Sequence, residues 1–220
     1  MGIKDRVKSE VQKIIARGHQ VEQEVIAFVR DDYKKTLDDV GKGMNTVRET
    51  TSEYLSGVEE GLNAAGHKSE ELLQKTAHAL VDVARELCNK SLEAAQKNAH
   101  DAKSSLNAAL EKVQGPIDNV DEKIKKRMQD AHSRLTKTSE AGKTRLKAVG
   151  DGIDAYAGKK KDELSDSANA ALHKAADRSM DFVQKLAKST EEQNKKLLSH
   201  SLDTVAGWLA KLADKVKPKD

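Results

Sequence analysis

At 220 residues the chain is long enough for one or two domains, yet aromatics make up only 3% of it: one Trp, three Tyr and two Phe. Rings supply the largest parcels of buried area, so composition argues against an ordinary globular domain and leaves little material for a compact core. Two prolines and abundant Ala, Lys, Glu and Leu predict helix throughout. Charge is nearly balanced, 39 basic against 36 acidic side chains for a net +3, which gives no bulk field for nucleic acid.

The chain opens Met1-Gly2-Ile3-Lys4-Asp5-Arg6. No apolar signal-peptide core follows, and Arg6 stands where a myristoylation signal has Ser or Thr. No run reaches the roughly 18 apolar residues of a membrane span. The expectation is a cytoplasmic protein, peripheral on lipid surfaces; a mature secreted chain fits the same features.

From Ile3 onward the apolar residues keep an eleven-residue step: Ile3, Ile14, Val25, Thr36, Val47, Val58, Ser69, Leu80, Ser91, Ala102, Val113, Ile124, Leu135, Leu146, Ala157, Ala168, Ser179, Thr190, Ser201 and Leu212. Fourteen of these twenty are aliphatic, six are Ser or Thr, and none is charged. A second column four residues on includes Val7, Val29, Leu62, Leu73, Leu106, Ile117, Met128, Leu172 and Val205; its only charge is Lys161. Columns at +7 and +8 add Tyr54, Leu87, Ile153, Leu186, Trp208, Tyr33, Leu55, Cys88 and Leu209. Eleven residues make about three helical turns, so the four columns share one face roughly 100° wide. A heptad step from Ile3 meets Glu10, Arg17 and Glu24, so no left-handed coiled coil is encoded.

Charges are sorted around that ridge. At its edge runs a basic column that includes Lys112, Lys123, Arg134, Arg145, Arg178 and Lys211, and nearly opposite runs an acidic one through Asp5, Asp38, Glu49, Glu60, Glu71, Asp82 and Glu93. Basic stems beside an apolar stripe can snorkel to phosphates while acids face water, the arrangement of a helix lying in a lipid interface.

Gly41/Gly43, Gly57/Gly61/Gly66 and Gly150/Gly152/Gly158 read as soft points, each Gly weakening a helix by about 1 kcal/mol against Ala. Gly115-Pro116 is the strongest break and divides the chain into an N-terminal half, 1–115, and a more basic C-terminal half, 116–220. Register survives it, since Val113, Ile117 and Ile124 stay in phase, which predicts a kink in a long helix. Beyond it, between Lys123 and Lys147, nine Lys or Arg face only Asp130 and Glu140, a segment suited to anionic headgroups or nucleic acid. The last stretch places Val205, Trp208, Leu209 and Leu212 on one face, the pattern of an interfacial anchor or of a helix closing a bundle.

His67, His78 and His100 share a polar column, but residues eleven apart lie about 16 Å apart on a helix, too far for one metal. Cys88 falls on the apolar face as a small filler. The pairs Glu59/Glu60 and Glu70/Glu71 read as solvated helix faces. There is no GxSxG, P-loop, HExxH or dinucleotide turn, so neither enzyme nor cofactor, metal or small-molecule substrate is expected.

Eleven-residue amphipathic helices with basic flanks resemble the exchangeable apolipoproteins, perilipins and synucleins, and are similar to the phasins that coat polyester granules. Ser91-Leu92-Glu93-Ala94-Ala95-Gln96-Lys97-Asn98-Ala99 looks like the repeats of group 3 late-embryogenesis-abundant proteins. The Leu, Val and Ile of the ridge favour the apolipoprotein-like resemblance. It implies an all-α fold of long helices, extended, curved, or folded back as hairpins or a bundle. It also implies a non-enzymatic coat for droplets, granules or membranes.

In that reading Ile3, Val7, Ile14, Val25, Val47, Val58, Leu62, Leu80, Leu106, Val113, Ile117, Ile124, Leu135, Leu146, Val205, Trp208, Leu209 and Leu212 face lipid. Lys112, Lys123, Arg134, Arg145, Arg178 and Lys211 contact headgroups, anionic ones preferred. Self-association through the ridge is a further expectation. The alternatives are a stress protectant that becomes helical on drying and a structural helical bundle or filament.

Overall fold

The computed structural model describes residues 2–39, 43–67, 70–111 and 117–216; within the helices, side chains at 102–103, 105–111, 117–125, 198, 200–202, 204–205, 208–209 and 211–216 lie outside the described set. The fold is all-α, with no strand among the described residues. Its helices are α1 (Ile3–Arg17), α2 (Val21–Asp39), α3 (Met44–Ala64), α4 (Glu70–Glu111), α5 (Ile117–Lys159) and α6 (Asp166–Val216). The Gly115-Pro116 kink falls outside the described residues.

Three helix boundaries have local causes. Gly18, at φ 75°, ends α1 by returning its N–H to the Ile15 carbonyl. Gly66, at φ 76°, ends α3, with the His67 N–H reaching back to Leu62 at 2.9 Å. Both positions favour Gly because a Cβ is disfavoured in the left-handed region. Ser165 caps α6, its hydroxyl accepting from the Ala168 N–H at 3.2 Å. Glu70, in the first turn of α4, accepts from the Ser165 N–H at 2.9 Å.

Two compact units form, and neither coincides with a half of the sequence: unit 1 is 1–89 with 141–185, unit 2 is 90–140 with 186–220. The long helices α4, α5 and α6 each contribute a segment to both.

Unit 1 is a bundle with a full core, contrary to what the low aromatic content suggests, because aliphatic side chains and the buried Tyr33, Tyr54 and Tyr156 fill it. Val7, Val11, Val25, Val29, Tyr33, Leu37, Tyr54, Leu55, Val58, Leu80, Val149 and Ile153 are wholly inaccessible. Helices approach closely through glycine. A Cβ on Gly57 would lie 2.8 Å from the Lys4 carbonyl and 2.8 Å from Val7 Cβ, and one on Gly152 would lie 2.6 Å from the Arg48 carbonyl. Gly57, Gly61, Gly150 and Gly152 therefore sit inside α3 and α5 as packing points between helices, not as the soft points the sequence suggests. Gly18 and Gly66 do end helices.

Unit 2 is slimmer. Its described buried residues are Leu92, Ala95, Ala99, Ala131, Leu135, Ser139, Leu186 and Thr190.

The candidate lipid-binding ridge

The eleven-residue register is the core of the bundle. Ile14, Val25, Thr36, Val47, Val58, Leu80, Leu135, Leu146, Ala157, Ala168, Ser179 and Thr190 are all buried, whereas Ile3 is half-buried and Ser91 exposed. Val7, Leu62, Leu73, Leu172 and Ser139 of the second column are buried too. The ridge residues predicted to face lipid thus lie, where described, against other helices of the same chain. Leu106, Val113, Ile117, Ile124, Val205, Trp208, Leu209 and Leu212, with Lys112, Lys123 and Lys211, fall outside the described side chains.

Most buried Ser and Thr at described ridge positions have their hydroxyls satisfied. Thr36 donates to the Asp32 carbonyl at 2.9 Å, Thr51 to Val47 at 2.7 Å, Thr190 to Leu186 at 2.8 Å and Ser179 to Ala176 at 2.7 Å. Each proton therefore stays within its own helix. The hydroxyl oxygens then accept from neighbours: Tyr33 donates to Thr51 Oγ1 at 2.7 Å and Ser139 to Thr190 Oγ1 at 2.6 Å. Thr76 departs from this pattern, being buried with no hydrogen-bond partner.

One polar network lies at the edge of the unit 1 core. Arg6 pairs with Asp32, and its guanidinium reaches Thr36 Oγ1 at 3.3 Å and the Tyr54 hydroxyl at 3.4 Å. Tyr54 donates to Asp32 Oδ2 at 2.5 Å and stands edge-on to Tyr33, ring centres 5.0 Å apart. Burial raises the pKa of Tyr33 and Tyr54, and the Asp32 carboxylate raises Tyr54 further. Tyr156 is raised by burial and then by Glu59. Burial also pushes the Cys88 thiol up to about 11, and its sulfur donates to the Gly142 carbonyl at 3.4 Å, consistent with a filler role.

The charged columns are only partly as the sequence suggests. Asp5, Asp38, Glu49, Glu71, Glu93, Asp181 and Glu192 are exposed. Glu60 instead bridges Lys4 at 3.0 Å and Lys8 at 3.2 Å, and Asp82 binds Arg178 at 3.1 Å. The lysine hydrogen bonds hold the Glu60 carboxyl below its ordinary range. The pairs Glu59/Glu60 and Glu70/Glu71 are correspondingly not simply solvated. Glu59 is buried with Lys160 at 3.2 Å, Glu70 holds Ser165, and Glu71 meets Lys75 at 2.7 Å.

Among the bases expected at headgroups, Arg134 is exposed, Arg145 is half-buried and Arg178 is committed to Asp82. Sequence reasoning missed these cross-helix pairs because carboxylates and bases about 50 to 100 positions apart carry no periodic signal.

A cleft of about 340 Å³ in unit 1 is lined by Glu59, Glu70, Glu163, Leu62, Leu73 and Leu164, among others. Its carboxylates are already engaged, Glu163 with Lys160 at 2.6 Å. Among the described residues no three His, Cys, Asp or Glu side chains are grouped to hold a metal, and no helix is long and apolar enough to cross a membrane. The chain matches no family model, no curated protein and no solved structure.

Proposed function

We propose that this is a non-enzymatic lipid-surface protein, which keeps its apolar ridge inside a helical bundle and lays it on a lipid surface when the helices part. The observation that carries the reading is a single phase running through separate helices. Ile14 and Val25 are in register across the Gly18–Gln20 turn, and Ala157 and Ala168 across the turn at 160–165, all four buried. A bundle core requires each helix to be apolar on one face, but not that the faces share a phase through the turns. One long interfacial helix does require it.

The ridge hydroxyls support the same reading. Thr36, Thr51, Ser179 and Thr190 donate within their own helices. Transfer from protein to hydrocarbon would strand none of those protons, so the main penalty for polar groups in lipid is avoided. The partners proposed are lipid surfaces, with anionic headgroups favoured by the exposed bases Lys126, Arg127, Arg134 and Lys137. Peripheral attachment goes with it.

Vesicle flotation, read together with emission from Trp208, the sole tryptophan, tests this. The chain should float with vesicles carrying anionic phospholipid, and its emission should shift to the blue. A chain that stays with the soluble fraction, its emission unchanged, rejects the proposal.

A structural or partner-binding bundle is the second reading, favoured by the buried tyrosine contacts of unit 1. It expects cooperative melting that vesicles leave untouched. A desiccation protectant would show little helix in dilute lipid-free buffer, which circular dichroism detects directly.

A further inference from the structure

In unit 2, α4 and α5 leave a cleft of about 280 Å³ between them. Its floor is Ala95, Ala99 and Ala131, all buried. On its rim stand Arg127, Asp130 and Arg134 from α5 and Asn98 from α4, all exposed. Arg127, Asp130, Ala131 and Arg134 follow i, i+3, i+4, i+7 spacing, so one stripe of α5 carries both guanidiniums and the carboxylate between them. The arginines are two turns apart, about 10 Å along the axis, within reach of one shared anion.

Several other arginines are spoken for: Arg6 on Asp32, Arg178 on Asp82, Arg85 stacked 4.3 Å over Phe182. Among the described residues Arg127 and Arg134 have no such partner, and Asp130 does not close the gap to either. The exposed Lys126 and Lys137 add to the positive field there. Small alanine side chains lower the floor, so a group can settle between the two helices.

We propose that this cleft is a headgroup seat for a glycerophospholipid with a hydroxylated headgroup, of the phosphatidylglycerol kind. The phosphate lies between Arg127 and Arg134, whose forked donors suit phosphate oxygens. A headgroup hydroxyl donates to Asp130, which accounts for a carboxylate in a cation-lined cleft. Choline offers no N–H or O–H to that carboxylate and binds more weakly. The inference rests on the lipid-surface reading and assigns its headgroup selectivity to named residues.

Flotation of the full chain on phosphatidylcholine vesicles, with and without phosphatidylglycerol, tests it. Wild type should prefer the phosphatidylglycerol vesicles, and the double variant Arg127→Gln/Arg134→Gln should lose about tenfold of that preference while still binding at the phosphatidylcholine baseline. Asp130→Asn should weaken the preference, since an amide is a poorer acceptor for the hydroxyl. A stronger preference in Asp130→Asn would show that Asp130 merely repels anions and would overturn the assignment. Lys13→Gln/Lys35→Gln, which removes two exposed lysines of unit 1, should leave the preference unchanged. An equal loss there, or none in the arginine variant, means diffuse attraction and no seat. Should wild type bind no vesicle at all, the failure belongs to the lipid-surface reading. Circular dichroism of each variant confirms that the helices are intact.

Discussion

Unit 1 and unit 2 use one register to different effect. In unit 1 the ridge positions carry Val, Leu, Ile and Tyr, locked by glycine approaches at Gly57 and Gly152 and by the Arg6–Asp32–Tyr54 network. In unit 2 the described ridge reads Leu135, Ser139 and Thr190 with an alanine floor, Ser139 donating to Thr190, which donates to the Leu186 carbonyl. Periodicity fixes which face is buried; the size of the residues on it fixes how firmly.

Each unit carries its own optical probe, since Tyr33, Tyr54 and Tyr156 lie in unit 1 and Trp208 in unit 2. The largest effect should come from Leu55→Ala, which empties a wholly buried site in unit 1. It should destabilise the transition seen by tyrosine by about 2–5 kcal/mol. The tryptophan transition should stay in place; an equal shift of both would mean the units unfold as one and would end the contrast drawn here.

Gly57→Ala should follow at about 1–3 kcal/mol, because the added methyl meets the Lys4 carbonyl, a backbone atom that cannot swing aside. Chemical denaturation of the variant measures it, and an unchanged midpoint would show that α1 can ride outward at no loss.

Alkali separates the units without mutation. All three phenols have pKa values raised above the ordinary 10.0, so the folded chain keeps protons that the unfolded chain releases. The stability tied to them is complete below about pH 10 and is lost as pH climbs through the folded values. Tyrosinate absorbance should therefore appear late and together with the loss of unit 1 helix. Three phenols that titrate normally in a still-folded chain would contradict their burial.

The smallest effect belongs to unit 2. Thr190→Val strands the Ser139 hydroxyl and should destabilise by about 1 kcal/mol, whereas Ser139→Ala combined with Thr190→Val should restore most of it. A double variant as weak as the single one would place the loss in packing instead of hydrogen bonding.

The all-α fold and the buried face were legible in the sequence because a helix repeats its geometry and the register repeats with it. Ser179 and Thr190 were legible as ridge members, and their back-donation to Ala176 and Leu186 explains why hydroxyls are admitted there. The glycines were misread. A propensity scale counts Gly57 as a weakness, and only the neighbouring backbone of α1 shows what the missing Cβ makes room for. The two units were invisible as well, since α4, α5 and α6, at 42, 43 and 51 residues, pass from one into the other with no break in composition. Arg127 was legible only as one of the nine bases of the 123–147 segment, because it lies off the basic edge column and the alanine floor of the cleft comes partly from α4.

The central claim is that the ridge must leave its protein counterpart to meet lipid, and a reversible staple across unit 2 tests that most directly. Ser139 and Thr190 touch at 2.6 Å between α5 and α6, so Ser139→Cys/Thr190→Cys, with Cys88→Ser to prevent mispairing, places two thiols within bonding reach. Flotation with anionic vesicles should be lost in the oxidised chain and return on reduction. Equal flotation of the oxidised and reduced forms would contradict the account, because the bundle would then bind lipid without ever opening.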